Sequence, residues 1–238
     1  MARSWRVVQV AVALFALGCA VPAQSTMQAA PPARVGASVP AAKEPVVTTP
    51  TGKPAAAAAA VAGETAPPVA QNSLRFAVLG DTGTGDRTQY ETGAMLARSH
   101  AVFPFEFVLM VGDNLYGSER PQDFTRKFEL PYKALHDAKI PFYAALGNHD
   151  DPNQRFYKLF NMNGERFYTF KKQSVRFFAL DSNYMDRDQI AWLKRELENS
   201  GSDWKIPFFH HPLYSSGGTH GSESTCGSRS NRCFSSTA

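Results

Sequence analysis

An α/β fold is predicted for residues 73–221, and three observations predict it. Apolar runs at 74–79, 105–111 and 140–146 are separated by segments of helical spacing, the strand–helix–strand order of a parallel sheet. Each run closes on a glycine followed by an acid or an amide, at Gly80-Asp81, Gly112-Asp113 and Gly147-Asn148. A hairpin pattern, a capped helix and a last apolar run follow in the second half.

Taken in order, Leu74 to Leu79 reads as a strand buried on both faces. Arg87 to His100 has helical character, with Tyr90, Ala94 and Ala97 at helical spacing. Phe105 to Val111 is the second strand. Phe124, Phe128, Tyr132 and Leu135 mark a helical stripe interrupted by Pro131. Ile140 to Leu146 is the third strand. Phe167–Phe170 and Val175–Leu180 form a hairpin through Lys171, Lys172 and Gln173. Asp186 caps a helix, with Gln189 three residues on to complete a capping box. Ile190, Leu193 and Leu197 give that helix its apolar face, and Trp204 to Phe209 is the final strand.

The region before this fold has a different texture. Arg3 and Arg6 precede an apolar run from Val7 to Leu17, and small residues follow at 18–23. Residues 1–23 therefore read as a secretory signal, and export to the periplasm, envelope or medium is expected. Two forms are open. Ala16-Leu17-Gly18-Cys19 resembles a bacterial lipobox, which would leave a lipid on Cys19 as a membrane tether; ordinary cleavage would follow Ala23. A retained anchor is the third form. Residues 24–72 are rich in Ala, Pro and Thr with almost no large apolar side chain, so they are expected to be a disordered, semi-stiff linker.

Bulk composition narrows the function classes. The chain has 238 residues, 43% of them hydrophobic, and a net charge of +4 spread without a dense Lys/Arg block. Nucleic-acid binding is not expected from that distribution. The three cysteines, Cys19, Cys226 and Cys233, make no CxxC and stand apart from the other candidate ligands, which argues against a zinc-thiolate site.

The strand ends carry the chemistry. In open α/β sheets the loops at the carboxyl ends of strands meet at a ligand crevice. Asp81, Asp113, Tyr116, Asn148 and His210 all lie in such loops, and together they offer carboxylate, phenol, amide and imidazole donors. That set suits two adjacent ions of iron, zinc or manganese, with a carboxylate between them to reduce their repulsion. Two such ions can bind a phosphate, generate a nucleophile and stabilise a leaving oxygen.

In combination, Asp-x-Gly at 81–83, Gly-Asp-x-x-Tyr at 112–116 and Gly-Asn-His-Asp at 147–150 resemble the calcineurin-like metallophosphoesterases, in their purple acid phosphatase branch. Other branches carry Asp-x-His in the first motif; here Gly83 takes that place and Tyr116 offers the replacement ligand. The resemblance implies an α/β/β/α sandwich, incomplete at the C-terminus. It implies Asp81 and Tyr116 on a first metal, Asp113 bridging, and Asn148 and His210 on a second. The ions would be Fe3+ plus Fe2+, Zn2+ or Mn2+. His149 and His220 would serve as outer histidines that touch the phosphoryl group or protonate the leaving alkoxide. The reaction implied is hydrolysis of a phosphate ester, a phosphomonoester first, with a phosphodiesterase or nucleotidase on the same scaffold as the alternative. His211 is the neighbouring variable position, and Asp150 and Asp181 read as loop-stabilising residues.

The family pattern closes with Gly-His-x-His, one histidine per metal, and no histidine follows His220 in this chain. Residues 222–238 lose all strand or helix patterning, as a shifted reading frame or a disordered tail would produce. Weak metal retention and low or absent activity are expected on that basis, which keeps a non-catalytic remnant as a further alternative.

Overall fold

The computed structural model describes the backbone of Val12–Leu14 together with residues 70 and 72–215. The rest of the targeting segment and linker, the tail at 222–238, His220 and all three cysteines lie outside the described residues.

Two sheets face each other. The first has strand order β1-β2-β3-β4, all parallel, from Val12–Leu14, Phe76–Leu79, Phe107–Met110 and Phe142–Ala144. The second has order β5-β6-β7, from Tyr168–Lys172, Val175–Ala179 and Trp204–Phe208. Its first pair is an antiparallel hairpin and its second pair is parallel. Four α-helices, α1 (Arg87–Val102), α2 (Pro121–Phe124), α3 (Lys133–Asp137) and α4 (Arg187–Glu198), and short 3-10 turns at Pro152–Phe156 and Lys158–Phe160 lie among the described residues. None of the described helices is long and apolar enough to cross a membrane.

The layering follows from the period-2 alternation of side chains along a strand. In β2 and β3, Phe76, Phe107 and Leu109 face the second sheet, whereas Ala77, Leu79, Val108 and Met110 face the helices. In the second sheet, Phe177 and Ala179 face inward and Phe178 packs against Leu193 and Leu197 of α4. Both faces of β2, β3 and β4 are thus covered, which explains why those strands read as continuous apolar runs. The order of layers is α/β/β/α, as expected.

Between the sheets the core is aromatic. Phe76 and Phe107 stack at 5.3 Å, and Phe177 meets each of them edge-on at 5.3 Å. Phe170 then stacks on Phe177 at 5.0 Å and on Tyr143 at 3.9 Å. Each such pair contributes about 0.5–1.5 kcal/mol beyond its area burial.

Three local expectations need correction. The inward face of α1 is Gln89, Thr92, Gly93 and Leu96, not Tyr90, Ala94 and Ala97. The stripe from Phe124 to Leu135 does bury Phe128, Tyr132 and Leu135, but it spans α2, a π-helical turn at Thr125–Glu129 and α3 rather than one helix. The Leu130 amide bonds Thr125 O at 2.9 Å in that wider turn, just before Pro131 prevents regular continuation. The capping box of α4 is half made. Asp186 accepts from the Gln189 amide at 2.8 Å, but the Gln189 side chain turns instead to the backbone of Asp181 and Tyr184.

Candidate metal centre

The loops after β2, β3 and β4 and the loop after β7 meet at one end of the sandwich. Their backbones are tied together: the Asp81 amide bonds Gly112 O at 3.1 Å, and the Tyr116 amide bonds Gly83 O at 2.9 Å. Asp81 and Asp113 both have left-handed backbone, at φ 57° and 51°. That conformation is sparse for residues with a side chain, although Asp adopts it more readily than most. Here it turns each carboxylate out of its strand toward the common centre.

Two glycines permit this closeness. At Gly112, with φ 100°, an added Cβ would lie 2.7 Å from the His210 ring nitrogen Nδ1 and 2.8 Å from Gly147 Cα. At Gly83 an added Cβ would lie 2.0 Å from the backbone oxygen of Asn114. A side-chain ligand at position 83 is therefore sterically excluded in this arrangement, and the phenol of Tyr116 is what the loop presents instead.

All five expected ligands come together. Asp81, Asp113 and His210 offer ligand atoms that lie within 4.8 Å of one another. Tyr116 Oη donates to Asp81 Oδ1 at 3.1 Å. His210 Nε2 is 3.0 Å from Asn148 Oδ1 and 3.5 Å from Asp113 Oδ1. Asp113 is buried, Tyr116 and His210 are half-buried, and Asp81 and Asn148 are exposed.

The imidazole of His210 tests the fit of a cation. Its Nδ1 lies 3.1 Å from the Val111 carbonyl, an acceptor only. In the neutral ring the proton must sit there, as it does in metal-bound histidines that donate to a backbone carbonyl. Nε2 then aims a lone pair at two oxygens, Asn148 Oδ1 and Asp113 Oδ1. Three electron-pair donors facing one point repel unless a cation, an extra proton or the NH2 of a turned Asn148 amide joins them. The donor set therefore suits a hard or borderline cation.

Burial, the hydrogen bond to Asp113 and the charges of Asp81 and Asp113 push the Tyr116 phenol well above its usual range. Left to itself the phenol keeps its proton; a bound cation inverts that preference.

Behind the donors stands Asp150. Its Oδ1 accepts from the amides of Asn114 and Leu115 at 2.8 and 3.1 Å, and its Oδ2 accepts from the Gly147 amide at 2.7 Å. It thus clamps the loop of Asp113 to the loop of Asn148, in keeping with its reading as a loop-stabilising residue. Burial pushes its carboxyl up to about 6. Asp181 likewise stabilises a loop, paired with Arg166 at 2.8 Å.

His149 is exposed; its amide bonds Asp113 Oδ1 at 3.0 Å, and its ring lies 5.0 Å from that of Tyr116. His211 pairs with Ser182, Nδ1 to Oγ at 2.9 Å. Two contributors were not foreseen from the sequence. Buried Lys127 donates to Tyr116 O at 2.6 Å and Ser118 O at 2.5 Å, holding the loop that carries the phenol. The segment 182–185 lines a pocket of about 400 Å³ that opens beside Asn148. Lys127 sits beside a residue of the apolar stripe, and nothing in its neighbours marks it as buried.

Residues 74–232 match the family model described as calcineurin-like phosphoesterase. The chain belongs to the calcineurin-like phosphoesterase family. Among curated relatives of this chain, the human tartrate-resistant acid phosphatase type 5 is 27% identical over 60% of this chain and 57% of the relative. The rabbit enzyme of the same name is 26% identical over the same shares. The chain thus spans a little over half the length of these relatives. Among solved structures, the GAP50 anchor in the inner membrane complex of Plasmodium superposes with TM-score 0.57 at 21% identity, over 69% of this chain and 62% of that one. A dimetal phosphatase from Danio rerio superposes with TM-score 0.50 at 12% identity, over 68% and 76%. At those identities the likeness is one of fold, and it agrees with the layered sandwich described above.

Proposed function

We propose that this protein is a metal-dependent phosphomonoester hydrolase of the purple acid phosphatase type, with two ions held around Asp113. One observation carries the reading: the Asp81–Tyr116 pair and the Asn148–His210 pair both converge on the buried Asp113 carboxylate. In this reading Asp81 and Tyr116 would hold one ion and Asn148 and His210 the other, with the Asp113 carboxylate shared between them. The ions would be Fe3+ with Fe2+, Zn2+ or Mn2+, since a phenolate favours the ferric state.

When bound, such a pair supplies a nucleophile near neutral pH and neutralises charge on the phosphoryl group. The chain's own residues do the rest. Asp113 keeps the two donor pairs at one spacing. Val111 O fixes the tautomer of His210. His149, exposed beside Tyr116, donates a hydrogen bond to a phosphoryl oxygen or a proton to the departing alkoxide. His220 is assigned the same kind of task. The reading includes export, through cleavage after Ala23 or lipidation at Cys19, either of which removes Val12–Leu14 and leaves β2 at the sheet edge, and rests there on the charge and apolar pattern of residues 1–23.

The test is metal content, visible absorption and hydrolysis of p-nitrophenyl phosphate by the full chain after reconstitution with iron and zinc. Weakly retained ions, a visible phenolate band abolished in Tyr116→Phe, and low turnover that depends on Asp113 are expected. A chain that binds no metal, or hydrolysis indifferent to Asp113 and Tyr116, overturns the reading in favour of a non-catalytic role.

A further inference from the structure

The pocket beside Asn148 has a built wall. The segment from Asp181 to Met185, between β6 and α4, is held from three directions. Fully buried Gln189 accepts from the Asp181 amide at 2.8 Å and donates to Asp181 O and Tyr184 O at 2.9 and 3.0 Å. Asn183 Nδ2 donates to the carbonyl of Gly147, the residue before Asn148, at 3.1 Å. Ser182 Oγ accepts from the His211 amide at 3.1 Å and meets the His211 ring at 2.9 Å. A loop tied this way, next to the donor cluster, is pre-organised for a ligand rather than left to find its shape on binding.

The chemistry of the lining selects what fits. Asp150 and Asp181 are both engaged, the first by backbone amides and the second by Arg166. Among the described residues of the lining there is no lysine or arginine to hold a further anionic group. What the wall offers is the Tyr184 ring, 62% exposed, with Met185 and Pro152. An exposed aromatic ring on a fixed backbone is a stacking surface.

We propose that this pocket is a leaving-group subsite for phosphomonoesters of uncharged aryl alcohols, with Tyr184 as the stacking wall that determines specificity. The inference rests on the phosphomonoesterase reading above. It assigns the selection among substrates to the segment 181–185, leaving the donor cluster to bind the phosphoryl group common to all of them.

The experiment measures binding to the full chain, loaded with zinc, by calorimetry and fluorine NMR. Phenylphosphonate is expected to bind roughly three- to tenfold more tightly than methylphosphonate, the range that one aromatic contact supplies. Tyr184→Ala removes that advantage, leaves methylphosphonate affinity unchanged, and Tyr184→Phe restores it. A carboxylate on the ring, in 4-carboxyphenylphosphonate, also removes it. 4-Fluorophenol, which lacks a phosphoryl group, reads the pocket alone through broadening of its fluorine signal. An advantage absent in the wild type, or undiminished in Tyr184→Ala, overturns the proposal. If methylphosphonate fails to bind while 4-fluorophenol broadens in a Tyr184-dependent way, the subsite stands and the metal-centre reading falls. If neither probe binds, both fall.

Discussion

The backbone amide of His149 donates to Asp113 Oδ1 at 3.0 Å, joining the loop after β4 to the carboxylate at the end of β3. One carboxylate therefore has two tasks, as a fastener between loops and as the charge on which the donor pairs converge. Asp113→Asn separates them. The amide keeps an oxygen for His149 and tolerates the left-handed backbone at φ 51°, so the fold is expected to persist. Metal content should fall by half or more and hydrolysis by roughly a hundredfold or more. Elemental analysis and a phosphatase assay on the same preparation check this, with thermal unfolding of the metal-free chains as the control.

Gly83→Ala should act through space alone. The new methyl would meet Asn114 O at 2.0 Å, and that oxygen belongs to a backbone that cannot swing aside like a flexible side chain. A cost of about 1–3 kcal/mol is expected, with loss of metal binding as the Tyr116 loop is pushed away. The urea midpoint and metal content report the two effects separately.

Asp150 supplies a pH signature. Burial raises its carboxyl from the usual carboxylate range to about 6 in the folded chain. A raised carboxyl means the folded state binds its proton more tightly than the unfolded state does. Its contribution is fully present below about pH 4 and is lost as pH rises through 6. Metal-free wild-type chain should therefore lose stability across that window, and Asp150→Asn should flatten this part of the profile. At pH 7 the amide variant is also expected to be less stable by about 1–3 kcal/mol, because its NH2 faces backbone donors that the carboxylate accepts. Melting temperatures from pH 4 to 8 test both statements.

Phe177→Ala should be a severely damaging truncation between the sheets. The ring is fully buried and touches Phe76, Phe107 and Phe170. A cost of about 3–5 kcal/mol is expected, read as a shift of the urea midpoint in chains that still show native far-ultraviolet dichroism at zero denaturant.

The strands and the ligand motifs were legible because each is a contiguous string. A strand covered on both faces must be apolar throughout, and a ligand at its end sits within a few residues of its glycine. What was misread depends on partners far along the chain. Gln89 lies on the buried face of α1 because its amide reaches Lys127 O, so ranking by apolarity alone selected Tyr90 instead. Gln189 was expected to close a capping box, but buried backbone groups at Asp181 and Tyr184 claim its side chain. The wall of Ser182, Asn183 and Tyr184 takes its shape from Gln189, Gly147 and His211, none of which its own three residues announce. Asp150 was read as a loop residue from its neighbourhood, and the clamp to Asn114 and Leu115 is that role in three dimensions.

Asp81, Asp113 and Asn148 leave the first sheet, whereas His210 arrives from β7 of the second. The donor cluster is therefore complete only when the two halves of the sandwich have docked. Cations held between donors of the two sheets would bind the docked form in preference to any loosened one, and by linkage would stabilise the joint itself. Metal affinity in this protein is then a gauge of assembly: any substitution that lets the sheets drift apart, even one deep among the phenylalanines, should first announce itself as a leaking ion.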